Sequence, residues 1–258
     1  MKRPRSLGCV IGMHRSGTSV VTQIARLLGT DLGPADHFLD TKPDNPNGYF
    51  ENRDVTRLDD ALLRHFSASW DQPPALPPGW ENDPALDAFR ERASAIMAQT
   101  FVGRGPVVVK DPRLSLLLPF WRTVVPVKHV LLMVRHPVEV AASLARRDSM
   151  DLEQGSSLWL RYNVDAWLNG GGPTVVAFDD IYEQPVEAVS RVAAAFGIQP
   201  TSTTVENVAA VAIDAGLRHH SNREPAGPQS ERAVELYELL CKGDVESVDR
   251  WCETLLSG

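Results

Sequence analysis

The sequence predicts an α/β fold of three layers, in which helices flank a parallel β-sheet. Four short apolar runs alternate with helical patterns, and each run has the length of a buried strand. The runs are Leu7 to Ile11, Pro106 to Val109, Val127 to Val134 and Thr174 to Phe178. The chain has 258 residues, of which 43% are hydrophobic. This length is sufficient for a single domain over residues 1–258.

Apolar residues at helical spacing supply the connections between these strands. After the first run, Val20 to Leu28 has the spacing of a helix that ends at Gly29. Four further helical patterns are Ala85 to Phe101, Pro137 to Arg147, Leu158 to Leu168 and Pro185 to Phe196. Helical crossovers of this kind join strands of a parallel sheet.

Two parts of the chain depart from this alternation. Residues 31–53 are rich in Asp, Pro, Asn and Gly, and residues 71–84 contain five prolines, which is typical of loops. We expect residues 31–84 to supply loops and a helix that form the surface for a substrate. The polar segment 216–230 precedes a final amphipathic helix from about Ser230 to Leu240, so residues 216–258 are predicted to form a C-terminal loop and helix.

Composition excludes several classes of function. The net charge of -7 disfavours binding of nucleic acid over a broad surface, which needs clustered Lys and Arg. Cys9, Cys241 and Cys252 lack the spacing of a metal site or a disulfide framework, and we expect no metal. The sequence shows neither a signal peptide nor a membrane span, so we expect no membrane partner and a cytoplasmic location. Composition does not indicate the oligomeric state.

The connection between the first strand and the first helix has the pattern of a phosphate-binding loop. It reads Gly12-Met13-His14-Arg15-Ser16-Gly17-Thr18-Ser19. A turn of this kind directs backbone N–H groups and the positive end of the helix dipole at one point. Its spacing copies the nucleotide-triphosphatase loop, which predicts a sheet of the P-loop type. Thr18 replaces the lysine of that loop, which disfavours hydrolysis of ATP or GTP.

Two other functions use the same residues. Cys9 and Arg15 have the C-x5-R spacing of cysteine-dependent phosphatases, in which a thiolate attacks phosphorus. The apolar neighbours of Cys9 favour a buried strand residue instead. The third hypothesis is a P-loop nucleotide kinase or a nucleotide-binding protein without catalysis.

Basic residues follow three successive core strands. Arg15 lies in the first loop, Lys110-Asp111-Pro112-Arg113 follows the second strand, and Arg135-His136-Pro137 follows the third. Because ligands of parallel sheets bind at the carboxyl ends of the strands, we expect these cations to converge on one crevice.

These motifs together resemble the sulfotransferases that use 3′-phosphoadenosine 5′-phosphosulfate (PAPS). Gly12 to Ser19 is similar to the 5′-phosphosulfate loop of that family, and Val134 through Ser143 is similar to its 3′-phosphate motif. Asn45 to Glu51 and Lys110 to Arg113 resemble segments of bacterial members that act on small molecules or sugars. The resemblance therefore implies a hydroxyl of a small molecule or carbohydrate as the acceptor.

The resemblance also implies roles for single residues. The implied donor-binding residues of the loop are His14, Arg15, Ser16, Gly17, Thr18 and Ser19. Arg135 and Ser143 would bind the 3′-phosphate. The family's C-terminal loop rich in Arg, Lys and Gly is not evident, and Arg218 to Arg223 is its candidate replacement.

Sulfuryl transfer needs a base, a cation and alignment of the reacting groups. The resemblance implies Lys110 as the cation, supported by Arg15, and Glu51 as the base. Asp36, His37 and His14 are alternative bases. Because cations favour an ionised carboxylate, we expect the pKa of Glu51 to be little raised.

Overall fold

Four parallel strands form the central sheet, in the order β2-β1-β3-β4. The strands are β1 (Leu7–Ile11), β2 (Val107–Lys110), β3 (Val127–Val134) and β4 (Thr174–Ala177). Cys9 of β1 lies opposite Val109 of β2 and Val130 of β3. The computed structural model describes residues 5–41, 48–213 and 223–257.

Eleven α-helices lie in the described ranges. They are α1 (Thr18–Leu27), α2 (Arg53–His65), α3 (Asp87–Thr100), α4 (Leu114–Val124), α5 (Pro137–Asp148), α6 (Leu152–Gly170), α7 (Phe178–Glu183), α8 (Pro185–Ala195), α9 (Ser202–Ala212), α10 (Pro228–Lys242) and α11 (Val245–Ser257). Short 3-10 turns occur at Ala35–His37, Trp80–Asn82 and Pro84–Leu86.

Alternate residues of the strands face two hydrophobic cores. Cys9 and Leu132 face one core, which α2, α4, α6 and α10 cover. Val10 and Met133 face the other, which α1, α8 and α9 cover. The sheet is therefore buried on both faces, as parallel sheets are, and the predicted three-layer α/β class is confirmed.

The order of the strands places the topological switch point of the sheet between β1 and β3. The chain passes from β1 to β2 at one edge and from β3 to β4 at the other. Neighbouring strands whose connections run in opposite directions form the usual ligand site of a parallel sheet, at their carboxyl ends. Gly12 follows β1 and Arg135 follows β3 at this end.

Several element boundaries differ from the predicted ones. Lys110 is the last residue of β2 rather than the first residue after it, and β4 ends at Ala177 because Phe178 begins α7. The predicted helix from about Ser230 to Leu240 is present as α10, but it is not the final helix. Gly243, at φ 69°, ends α10 in the left-handed conformation, and α11 follows it.

No helix within the described ranges combines the length and the apolar character needed to cross a bilayer. All three cysteines are free, with Cys9 and Cys252 buried and Cys241 exposed.

Candidate active site

Two glycines shape the loop between β1 and α1. Gly12 has φ 129° and Gly17 has φ 90°, which are conformations that favour glycine. A Cβ atom at Gly12 would collide with the Met133 carbonyl oxygen, and one at Gly17 would collide with the Phe178 ring. The Gly12 N–H donates to Ser115 Oγ at 3.0 Å. The loop thus passes close to β3 and α4, and it has no room for a side chain at Gly12 or Gly17.

The loop has the features of an anion site. Helix α1 begins directly after Gly17, and no described side chain caps its N-terminus. The Ser16 hydroxyl is buried and has no hydrogen-bond partner within the described residues. A buried polar group that lacks a partner is costly unless a ligand or water satisfies it. The residues therefore fit a bound phosphate or sulfate group.

Arg15 links this loop to α5. The residue has φ 69°, which is uncommon outside glycine, and its Nε donates to Ser143 Oγ at 3.0 Å. Both were predicted to bind the donor, at different phosphates. Their hydrogen bond brings the loop together with the helix that follows Arg135.

Glu51 and Lys110 form a buried ion pair beside the loop. Lys110 Nζ donates to Glu51 Oε1 at 2.5 Å and to the Tyr49 carbonyl oxygen at 3.1 Å. Lys110 is 3% exposed and Glu51 is 6% exposed. The Tyr49 carbonyl also accepts from Ser19 Oγ at 3.4 Å, which ties the pair to the first turn of α1.

Burial raises the pKa of Glu51, although the Lys110 ammonium acts in the opposite direction. The expectation of a pKa that is little raised left out the main cause of this shift. It considered the nearby cations but not the loss of solvent around Glu51, since the sequence did not show how deeply this loop residue is buried.

The backbone around Glu51 is fixed by a hydrogen bond to its carbonyl group and by the helix cap that follows it. Phe50 adopts φ 56°, and the Leu39 N–H donates to the Glu51 carbonyl at 2.9 Å. Asn52 caps α2 by accepting from the N–H groups of Asp54 and Val55. The carboxylate therefore lies at a fixed junction between a tight turn and a helix.

Arg113, three residues after Lys110, forms ion pairs with two acidic residues. Its Nε donates to Asp60 Oδ1 at 2.6 Å, and its Nη1 donates to Asp111 Oδ1 at 3.1 Å. Asp59, also on α2, is fully buried and accepts from Trp121 Nε1 at 2.9 Å. The second carboxylate oxygens of Asp59 and Asp111 are buried without a partner among the described residues.

The folded protein should keep the proton of Asp59 to a higher pH than the unfolded chain does. Burial first, and then the charge of Asp111, raise its pKa well above the ordinary value, and Asp60 adds to this while the Trp121 hydrogen bond and Arg113 oppose it. The unfolded chain loses this proton above about pH 4. The folded state is therefore destabilised as pH rises from there toward the folded pKa.

Asp59→Asn should reduce this dependence on pH. An amide can accept from Trp121 and needs no proton, so the free energy of unfolding of the variant should fall less than that of wild type between pH 4 and pH 7. Urea denaturation at several pH values measures the difference. Asp249→Asn is the matched control, because Asp249 accepts from Trp167 Nε1 but is exposed. An equal fall for Asp59→Asn and wild type would contradict the prediction.

His14 is half-buried, and its ring lies among aromatic rings. Its ring centroid is 4.7 Å from that of Trp70 and 5.8 Å from that of Tyr162. Its Nε2 is buried and has no partner in the described parts of the chain. Burial is the main reason why the pKa of His14 is well below its ordinary value. The imidazole is therefore neutral at neutral pH.

Four cations surround His14 and further lower its pKa. They are Arg113, Arg147, Lys110 and Arg15, in decreasing order of effect. Three of them belong to the predicted cationic crevice. Arg147 was not predicted; its guanidinium lies 5.4 Å from the Trp70 ring centroid.

Arg135, the fourth predicted cation, belongs to a different group of charges. Its Nε donates to Glu139 at 2.8 Å, and its guanidinium lies 4.3 Å from the Phe178 ring centroid. Glu139 also accepts from Arg223 Nε at 2.8 Å. Phe178 lies against Gly17, so its ring separates the Arg135 guanidinium from the loop.

The other predicted residues have varied positions. Thr18 is buried in the first turn of α1. Asp36 is exposed in a 3-10 turn, and His37 Nδ1 lies 3.0 Å from Asp54 Oδ2. Residues 45–47 and 218–222, which belong to two of the predicted motifs, lie outside the described residues.

Cys9 is a poor candidate for a nucleophile. It lies in the middle of β1 with no exposed surface, and burial raises the pKa of its thiol to about 12. The thiol is therefore protonated at neutral pH, whereas a nucleophilic cysteine needs the thiolate. Within the described residues, no group of three or more His, Cys, Asp or Glu side chains could hold a metal.

Sequence reasoning missed several residues of this region. Four of them are Ser115, Glu139, Arg147 and Asp59. Glu139 had a detectable signal, because it follows Arg135 by four positions at the start of a predicted helix. The others depend on contacts between distant parts of the chain.

Comparison with solved structures identifies the fold. The chain superposes on the sulfotransferase domain of the olefin synthase from Synechococcus PCC 7002 with a TM-score of 0.52 and 15% identity, over 99% of this chain and 96% of that one. Sulfotransferase STF9 from Mycobacterium avium gives a TM-score of 0.47 and 16% identity, over 96% and 77%. No protein-family model and no curated protein matches the sequence. The chain has the sulfotransferase fold.

Proposed function

We propose that the protein is a PAPS-dependent sulfotransferase that transfers a sulfuryl group to a hydroxyl of a small molecule or sugar. The observation that carries this proposal is the shared contact at the Tyr49 carbonyl. Lys110 Nζ and Ser19 Oγ both donate to this oxygen. A base, a cation and an anion-binding loop thus lie next to one another, which is what transfer of a sulfuryl group requires.

Two anion positions support PAPS as the donor. The loop from Gly12 to Ser19 would hold the 5′-phosphosulfate, and Arg135 with Arg223 would hold the 3′-phosphate at a second position. The Arg15–Ser143 hydrogen bond connects the two. A donor with phosphate groups on both the 3′ and the 5′ oxygen of the ribose matches this arrangement better than a triphosphate does.

In the proposed reaction, the acceptor oxygen attacks sulfur while the bond from sulfur to the phosphate oxygen breaks. Glu51 accepts the hydroxyl proton, and Lys110 stabilises the negative charge on the leaving phosphate. The ammonium has three N–H donors, of which two contact Glu51 and Tyr49. The third can therefore serve the leaving oxygen. The products are a sulfate ester and adenosine 3′,5′-bisphosphate.

Calorimetry with adenosine 3′,5′-bisphosphate tests the donor. The wild-type protein should bind it more tightly than ATP with Mg²⁺, and Arg135→Ala should weaken binding by about 10- to 100-fold, the usual value of a charge-assisted contact. Arg146→Ala is the control, because Arg146 lies exposed in the last turn of the same helix. Tighter binding of ATP with Mg²⁺ would instead support the kinase hypothesis.

The acceptor surface is proposed to lie in residues 31–84. The base comes from this region, and the Trp70 carbonyl accepts from Tyr162 OH at 2.7 Å, which fastens the region to α6. Screening of sugars, phenols and other small hydroxyl compounds with labelled donor would identify the acceptor class.

A further inference from the structure

Two arginines from distant parts of the chain meet at one buried carboxylate. Glu139 is 2% exposed and lies in the first turn of α5. Its Oε2 accepts from Arg135 Nε and its Oε1 accepts from Arg223 Nε, both at 2.8 Å. Each carboxylate oxygen therefore serves a different guanidinium.

Further contacts fix both guanidiniums. Arg223 Nη2 donates to the two carboxylate oxygens of Asp179, at 2.9 and 2.8 Å. Arg135 lies over the Phe178 ring. A guanidinium is planar and rigid, so a hydrogen bond through Nε together with a second contact sets its orientation. Glu139 is the group that these two arginines share.

We propose that Glu139 is a positioning residue. It orients Arg135 and Arg223 so that both guanidiniums can bind the 3′-phosphate of the donor. The inference rests on the proposed function and extends it to a residue that does not touch the reacting atoms. Without Glu139, the first turn of α5 would no longer be joined to Arg223, which is 84 residues further along the chain. The two cations would then bind the phosphate with less favourable geometry.

Glu139→Gln separates positioning from simple neutralisation of charge. The variant carries one negative charge less beside the two arginines, so a merely neutralising Glu139 predicts tighter binding of anions. A positioning role predicts the opposite, because the amide NH2 group cannot accept from one of the two Nε atoms. The sign of the change therefore distinguishes the two roles.

Calorimetry should compare adenosine 3′,5′-bisphosphate with 5′-AMP, which lacks the 3′-phosphate. For Glu139→Gln we expect about tenfold weaker binding of the bisphosphate, little change for 5′-AMP, and a rise in the KM for the donor that exceeds any fall in kcat. Unchanged or tighter binding of the bisphosphate would overturn the inference. If wild type fails to bind the bisphosphate, the proposed function fails instead.

Glu187→Gln is the matched control. Glu187 stands third in α8 after Pro185 and Val186, as Glu139 stands third in α5 after Pro137 and Val138, but Glu187 is exposed. If Glu139→Gln does not fold, Glu139→Asp retains the charge with a shorter reach. Positioning then predicts weaker binding of the bisphosphate by Glu139→Asp, and unchanged binding would overturn it.

Discussion

Glu51→Gln should lower the rate of sulfuryl transfer by about 10²- to 10⁴-fold, the usual contribution of a general base. Binding of adenosine 3′,5′-bisphosphate should stay close to that of wild type, because the amide oxygen can still accept from Lys110 Nζ. Single-turnover assays with labelled donor measure the first effect, and calorimetry measures the second.

The pH profile provides a second readout for Glu51. Because burial raises its pKa, the wild-type kcat/KM should fall as pH drops through a value above that of an ordinary glutamate. This acidic limb should be absent from the residual activity of Glu51→Gln. Glu206→Gln, at an exposed position of α9, is the control. Near-normal turnover by Glu51→Gln would remove Glu51 as the base.

Lys110→Met should cost both turnover and stability. The variant leaves the Glu51 carboxylate buried without its main partner, which typically costs about 3–5 kcal/mol of unfolding free energy. Transfer should also slow because no ammonium faces the leaving phosphate. Urea denaturation and single-turnover kinetics measure the two losses. Lys128→Met, on the exposed part of β3, should cause neither.

Two comparisons make the stability result specific. The deficit of Lys110→Met should shrink at acidic pH, where Glu51 takes up a proton and no longer needs a cation. The double variant Glu51→Gln, Lys110→Met should recover part of the lost stability, since an amide costs less to bury than an ion. A deficit that does not depend on pH would show that Lys110 acts mainly through packing.

The sheet could be predicted from the sequence, but some helices could not. Buried parallel strands are short apolar runs without alternation, and all four such runs are strands. Helix α4 was missed because it begins with an almost wholly apolar run, Leu114 to Leu118, and contains the helix breaker Pro119. Helix α9 buries mainly small side chains, such as Ala209 and Ala212, which give a weak periodic signal.

In the candidate site, the positions of residues at the ends of strands could be predicted from the sequence. The position of Lys110 beside the loop follows from the parallel register, in which Val10 pairs with Lys110. The partner of Lys110 was not predictable, because Glu51 is 59 residues away and reaches it from an irregular segment. The same holds for Arg147 beside Trp70, since long-range contacts of side chains leave no periodic signal.

The charges around Glu139 also bear on how quickly a donor can be captured. Arg135 and Arg223 carry two positive charges, and Glu139 and Asp179 carry two negative ones, so this group is neutral in sum. The chain as a whole has a net charge of -7. An anionic ligand therefore meets no attractive field at long range, and dissolved salt should speed its approach by screening the repulsion. Capture then depends on short-range fit, which the proposed sulfotransferase would need in order to distinguish its donor from other nucleotides.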